Sequence, residues 1–270
     1  MEIPGLPERI TGGICTWPSS EGGDGVTARG PGMTIVSDRI FDFRGVPSTE
    51  QDEVISGVDG AVVRLERCLI LGGIKALLCG NGDHPGMDVR CARWEIEDCA
   101  ILGAGRRCPE AQDGAVVSLR RCWIHDWGQA FNVRAFAGWA HRGGTITAEK
   151  VLFTQSRGLL GLGLLHTLRD VFNHAGQSVN DYGPTALLRP RSWMPGVMRG
   201  LTADTGGLVL AHDCWRNHRW IRVDNCNDWL DAEQALEIVQ GLDARMPPGT
   251  DDVLCGWTLE QIFLSEALAS

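Results

Sequence analysis

The chain has no excess of positive charge: 25 Lys and Arg stand against 34 Asp and Glu, a formal net charge of −9. No global basic field surrounds it, which argues against nucleic acid as a partner. It has no long apolar run. The longest, "LLGLGLL" at Leu159 to Leu165, is far too short to cross a bilayer, so no membrane span is expected. The first twenty residues, "MEIPGLPERITGGICTWPSS", hold acids and prolines but no apolar core segment, so no secretory signal is expected. The expected setting is cytoplasmic or virion-associated, with release on a virus particle as a route that needs no signal. The ten cysteines include no C-x-x-C pair, which argues against zinc. No His-x-x-x-His occurs, so His84, His125, His141, His166 and His174 read as surface or turn residues.

What is present is a repeat. Hydrophobic residues make up 43% and charged residues 22%, as in a soluble globular protein, and 35 glycines imply many turns. Strand-like runs recur: "MTIVSDRIFDF" from Met33, "AVVRLERCLIL" from Ala61, "ARWEIEDCAIL" from Ala92, "AVVSLRRCWIH" from Ala115, "GTITAEKVLFT" from Gly144 and "LHTLRDVFNHA" from Leu165. "GVMRGLTADT" from Gly196 and "HRWIRVDNCND" from His218 fit less well. Each run alternates apolar and polar residues, then carries two polar residues, then Cys or another apolar residue. Starts lie roughly 21 to 31 residues apart, a solenoid period. No helical pattern separates the runs, which weighs against a βαβ fold.

The pattern predicts an all-β fold, a single-stranded right-handed parallel β-helix with one coil per repeat, over residues 1–227. Cys68, Cys99 and Cys122 fall in one slot of successive coils and are expected to stack inward as reduced thiols. Residues 228–270 change character. "DAEQALEIVQGLDA" has helical spacing with Asp231 as N-cap, and Thr258 opens a capping box. This segment reads as a short C-terminal helical cap or an interaction segment.

The second coil continues as "VVRLERCLILGGIKALLCGNGD". The next strand, "ARWEIEDCAILGAG", is followed by "RCPEAQDG", Arg107 to Gly114. In order and spacing these stretches resemble the pectate lyase family, calcium-dependent parallel β-helix lyases. The likeness covers roughly residues 20 to 130. It implies that Asp24, fourteen residues before Asp38, and Asp52 bind calcium, and that Lys75 and Arg107 are catalytic. Ser56 stands where the family has a second Asp, and Glu110 and Gln112 stand where it has arginines. A competing frame takes Asp113-Gly114 as the ligand motif and Arg157 as the arginine. It meets Trp127 in place of the lysine and Leu159 in place of the proline.

The chemistry implied is β-elimination on an acidic polysaccharide. Removing the C5 proton of a uronate places charge on the adjacent carboxylate, which needs stabilising in the transition state. Calcium on carboxylate oxygens, a lysine point charge and an arginine fork are suited to this. Strand alternation lets Lys75 face outward into a groove. "LLRPRSWMPGVMRG" adds Arg189, Arg191 and Trp193 as a grip on an anionic sugar chain. Taken together, the expectation is a polysaccharide lyase, with a phage-tail depolymerase of capsule or exopolysaccharide as one setting. A glycoside hydrolase would instead need two carboxylates across a groove, which Asp24, Asp38, Asp52 and Glu97 could supply. A non-catalytic glycan-binding or structural β-helix is the third alternative. A homo-oligomer is compatible with each.

Overall fold

A computed structural model describes residues 6–17, 25–44, 53–58, 60–73, 75–79, 92–103, 109–111, 115–125, 145–154, 208–217, 226 and 228–267. Its strands form a parallel β-helix of three sheets. The first holds β1 (Glu8–Thr11), β4 (Met33–Ser37), β7 (Val62–Glu66), β10 (Arg93–Glu97), β13 (Val116–Arg120), β15 (Thr145–Glu149) and β17 (Leu208–His212), in that order. The second holds β2 (Ile14–Thr16), β5 (Ile40–Phe43), β8 (Leu69–Gly72), β11 (Ala100–Leu102), β14 (Trp123–His125), β16 (Leu152–Thr154) and β18 (Trp215–Arg216). The third holds β3 (Val26–Arg29), β6 (Glu53–Val58), β9 (Lys75–Cys79) and β12 (Glu110–Ala111).

Each of the runs from Met33, Ala61, Ala92, Ala115 and Gly144 is two strands joined at a corner. The polar pair before the cysteine makes that corner. Asp38, Arg67, Asp98, Arg121, Lys150 and Asp213 all have φ between 49° and 54°. Left-handed backbone costs a non-glycine residue roughly 1–2 kcal/mol. Here the ladder offsets it. The Asp38 N–H donates to Glu66 O, that of Arg67 to Glu97 O and that of Asp98 to Arg120 O, at 3.0–3.1 Å, so the backbone bonds run unbroken around the bend. One residue later the chain turns inward, and Cys68, Cys99, Cys122 and Cys214 are fully buried there, with Val151 in the slot between the last two. The described cysteines are all free thiols.

The interior is a stack of like positions. Val36, Leu65, Ile96, Leu119, Ala148 and Ala211 are successive partners in the first sheet. Ala28, Gly57, Cys79 and Ala111 are successive partners in the third. That small-residue row makes room for Trp94. A Cβ built on Gly57 would lie 2.7 Å from the Trp94 ring.

The runs from Leu165, Gly196 and His218 lie outside the described residues, apart from Cys226 and Asp228; the next described strand of the first sheet begins at Leu208. It is β17, which pairs directly with β15. "LVLAHDCWR" from Leu208 has the corner pattern, with Asp213 in the left-handed position and Cys214 in the slot. In the chain, residues 155–207 stand between β16 and β17, a gap longer than the repeat, which is why even spacing does not find this coil.

The C-terminal segment forms α1 (Ala232–Asp243), α2 (Thr250–Val253), α3 (Leu259–Ile262) and a π-helical turn (Phe263–Ala267). Asp231 caps α1 in a capping box with Gln234, and Thr258 caps α3 in one with Gln261. The helices lie along the outer face of the second sheet. Ala235, Val239, Leu242, Leu259, Ile262 and Phe263 share one buried cluster with Ile40, Leu69, Ala100, Trp123, Leu152 and Trp215. These last six are successive partners across the sheet. A second-sheet strand buried on both faces explains why "CLIL" and "CWI" are continuously apolar.

Candidate functional site

Of the residues implicated by the family resemblance, Ser56, Lys75 and Glu110 lie in strands of the third sheet. Lys75 is the first residue of β9, and its Cα partner across the rung is Glu53, the first residue of β6. Asp52 directly precedes Glu53 in the chain. Asp24, Asp52, Arg107, Gln112, Asp113, Trp127, Arg157, Leu159, Arg189, Arg191 and Trp193 lie outside the described residues.

The alternation used to turn Lys75 outward does not hold along β9. Ala76 and Leu77 are adjacent, yet both are fully buried in the same interior cluster. The rung before repeats this, with Val54 and Ile55 both buried there. On both rungs two consecutive side chains thus meet one core. Period-two counting from Leu77 therefore does not fix the side on which Lys75 lies.

The calcium expectation meets an obstacle at Ser56. Ser56 is 4% exposed, and its hydroxyl donates to Thr27 Oγ1 at 3.4 Å, on the neighbouring strand. A buried hydroxyl held by a second hydroxyl is a poor substitute for a carboxylate oxygen, the donor that hard cations favour. Among the described residues no group of three or more His, Cys, Asp or Glu side chains is arranged to hold a metal. Glu110 forms β12 with Ala111, and its Cα partner is Leu78.

Two acids considered for hydrolysis are committed elsewhere. Asp38 accepts from Arg67 Nε at 2.6 Å and Nη2 at 2.8 Å. The Arg67 side-chain bond holds the Asp38 carboxyl below its ordinary range, and Arg67 is raised in turn. Glu97 pairs with Arg121 and lies 3.7 Å from Arg120. Both acids stand at the corner between the first and second sheets. Asp38 is part of an alternating ladder of Asp38, Arg67, Asp98 and Arg121, and Glu97 pairs with the last of these.

His125, read from sequence as a surface or turn residue, is fully buried. Its Nδ1 lies 2.7 Å from Thr154 Oγ1, which also accepts from Trp123 Nε1 at 2.6 Å. The strand that carries it ends "WIH" on the covered second sheet, so an imidazole there must find partners inside. His84, His141, His166 and His174 lie outside the described residues.

Cys99 and Cys122 are chemically quiet. Burial pushes Cys99 far up and Cys122 up to about 12. Their Sγ atoms donate to backbone oxygens two residues back, Glu97 O at 3.2 Å and Arg120 O at 3.3 Å.

Glu53 is the residue that sequence reading passed over. The signal available was its place beside Asp52, at a strand start one coil before Lys75. No helix of the described residues is long and apolar enough to cross a membrane. In comparisons with known proteins, no family model, no curated protein and no solved structure matches the chain.

Proposed function

We propose that the protein is a polysaccharide lyase that cleaves an acidic, uronate-containing polymer by β-elimination, on a plan similar to that of the pectate lyases, with a virion-borne capsule depolymerase as one setting. The observation that carries this proposal is the register of the third sheet, which pairs the start of the Lys75 strand with the start of the strand that follows Asp52. Chain counting extends it. Arg107 precedes Glu110 by three residues, as Lys75 precedes Leu78, and Glu110 and Leu78 are Cα partners. Asp24 precedes Val26 by two, as Glu53 precedes Ile55, and Val26 and Ile55 are partners. Side chains on neighbouring strands, about 4.8 Å apart, can flank one sugar ring.

In this proposal the C5 proton passes to a base, a role that the pectate lyase plan gives to the arginine. A C4–C5 double bond forms, and the C4–O bond breaks to release the departing sugar, which takes up a proton. Lys75 and Arg107 neutralise the uronate carboxylate meanwhile, so they act on charge that grows in the transition state. Arg107 orients the carboxylate through its planar fork. Arg189, Arg191 and Trp193 extend the grip along the polymer. No step is routed through calcium, because Ser56 does not supply the ligand that the resemblance implies.

The test is incubation with a panel of uronate and capsule polymers, followed by both ultraviolet absorbance and reducing ends. New absorbance supports elimination, and reducing ends without it indicate hydrolysis. A second proposal, a non-catalytic glycan-binding or structural β-helix, is favoured by the buried Ser56. It is chosen if binding occurs with neither product signal.

A further inference from the structure

We infer that Cys214 and Cys226 are a thiol pair that oxidises to a disulfide and clasps the last turn of the β-helix. Four ladder cysteines are fully buried, but the final one, Cys214, has a different neighbour from the rest. Beyond β17 and β18 the chain adds one more partial rung. Ala211 pairs with Cys226 and Cys214 with Trp229, both in parallel, and the Leu230 N–H donates to Cys214 O at 2.8 Å. Ala211 is an interior position of the first sheet, so Cys226, stacked upon it, packs against the same interior cluster as Cys214. Cys226 is half-buried, whereas Cys68, Cys99 and Cys122 are sealed.

The two thiols influence one another's ionisation, although burial is the main cause of the rise at both, to about 12 for Cys214. A neutral pair is slow to react at neutral pH, and mild alkalinity accelerates it. The oxidant is a small-molecule disulfide such as glutathione disulfide. The Cys226 thiolate attacks one of its sulfurs, its S–S bond breaks, and one glutathione leaves as a thiolate that takes a proton. Cys214 then loses its proton and attacks the Cys226 sulfur, which expels the second glutathione. Two protein thiols are oxidised, and one small disulfide is reduced to two thiols. The new bond crosses a rung that shows two isolated bridges among the described residues.

The test uses the full native chain with glutathione disulfide at mildly alkaline pH, then alkylation after unfolding and peptide mapping by mass. The expected product is a Cys214–Cys226 linked peptide that has lost two hydrogens, with Cys68, Cys99 and Cys122 all alkylated. In Cys226→Ser, a change at a half-buried position, Cys214 is expected to stay reduced. A stable glutathione adduct on Cys226 with Cys214 still alkylated would overturn the inference. So would modification of exposed Cys255 with both Cys214 and Cys226 untouched, or oxidation of Cys214 in Cys226→Ser.

Discussion

Arg121 grips Asp98 one turn below it through two nitrogens: Nε is 2.8 Å from Oδ1 and Nη2 is 2.9 Å from Oδ2. Both residues have left-handed backbone, and Arg245 from the helical segment approaches the same carboxylate at 3.6 Å. The Asp98 side chain is only 11% exposed. Asn tolerates left-handed backbone, so Asp98→Asn removes the charge without straining the corner. Charge-assisted hydrogen bonds contribute on the order of 1.5–3 kcal/mol. Asp98→Asn is therefore expected to lower unfolding stability by that amount in urea titration.

The Asp38–Arg67 pair sets an acid-side prediction. The folded Asp38 carboxyl is held below its ordinary value by its bond to Arg67. Such a group stabilises the fold above its unfolded value, and the contribution is lost as pH falls through the folded value. Asp38 is over a third exposed, so the effect is small, about 0.2–1 kcal/mol. The stability gap between wild type and Asp38→Asn should be present at neutral pH and close in acid below the folded value.

The cysteine ladder sets an alkaline prediction of opposite sense. Burial raises Cys122 and Cys214 to about 12 from 9.0. The stability tied to their neutral form is full below 9.0 and drains as pH rises from there toward about 12. Unfolding midpoints should fall across that window, and alkylation of the native chain should reach exposed Cys255 before buried Cys99 and Cys122.

Gly57 faces the Trp94 indole across the core. Gly57→Ala drives a methyl into the ring, an overpacking that costs typically 1–3 kcal/mol. Trp94→Phe in the same chain should recover part of the loss, and a double-mutant cycle measures the coupling. Simple additivity would show that the two positions do not share the space.

The solenoid and its thiol slot were legible because a coil repeats its chemistry: at Cys68, Cys99, Cys122 and Cys214 a polar pair precedes the same small buried residue. The corner conformation itself was hidden, since Arg67, Arg121 and Lys150 carry no glycine-like mark of positive φ. The coil at β17 was missed because residues 155–207 interrupt the period. The third sheet was the least legible. In its strands consecutive residues, Val54 with Ile55 and Ala76 with Leu77, are buried side by side, so alternation does not fix the side of Lys75. The place of the helices was also unreadable. Amphipathic spacing shows that α1 buries a face, but not that the second sheet receives it.

The most direct measurement is turnover of the polymer that gives new ultraviolet absorbance, compared among wild type, Lys75→Ala and Arg107→Ala. A single charged contact to the developing oxyanion is worth about 2.7–4 kcal/mol, a hundred- to a thousandfold in turnover. Both variants should lose that much while keeping the wild-type unfolding midpoint, and Arg107→Lys should not restore activity, because lysine lacks the planar fork. Near-normal turnover in both alanine variants would contradict the proposed site and turn attention to Asp113 and Arg157.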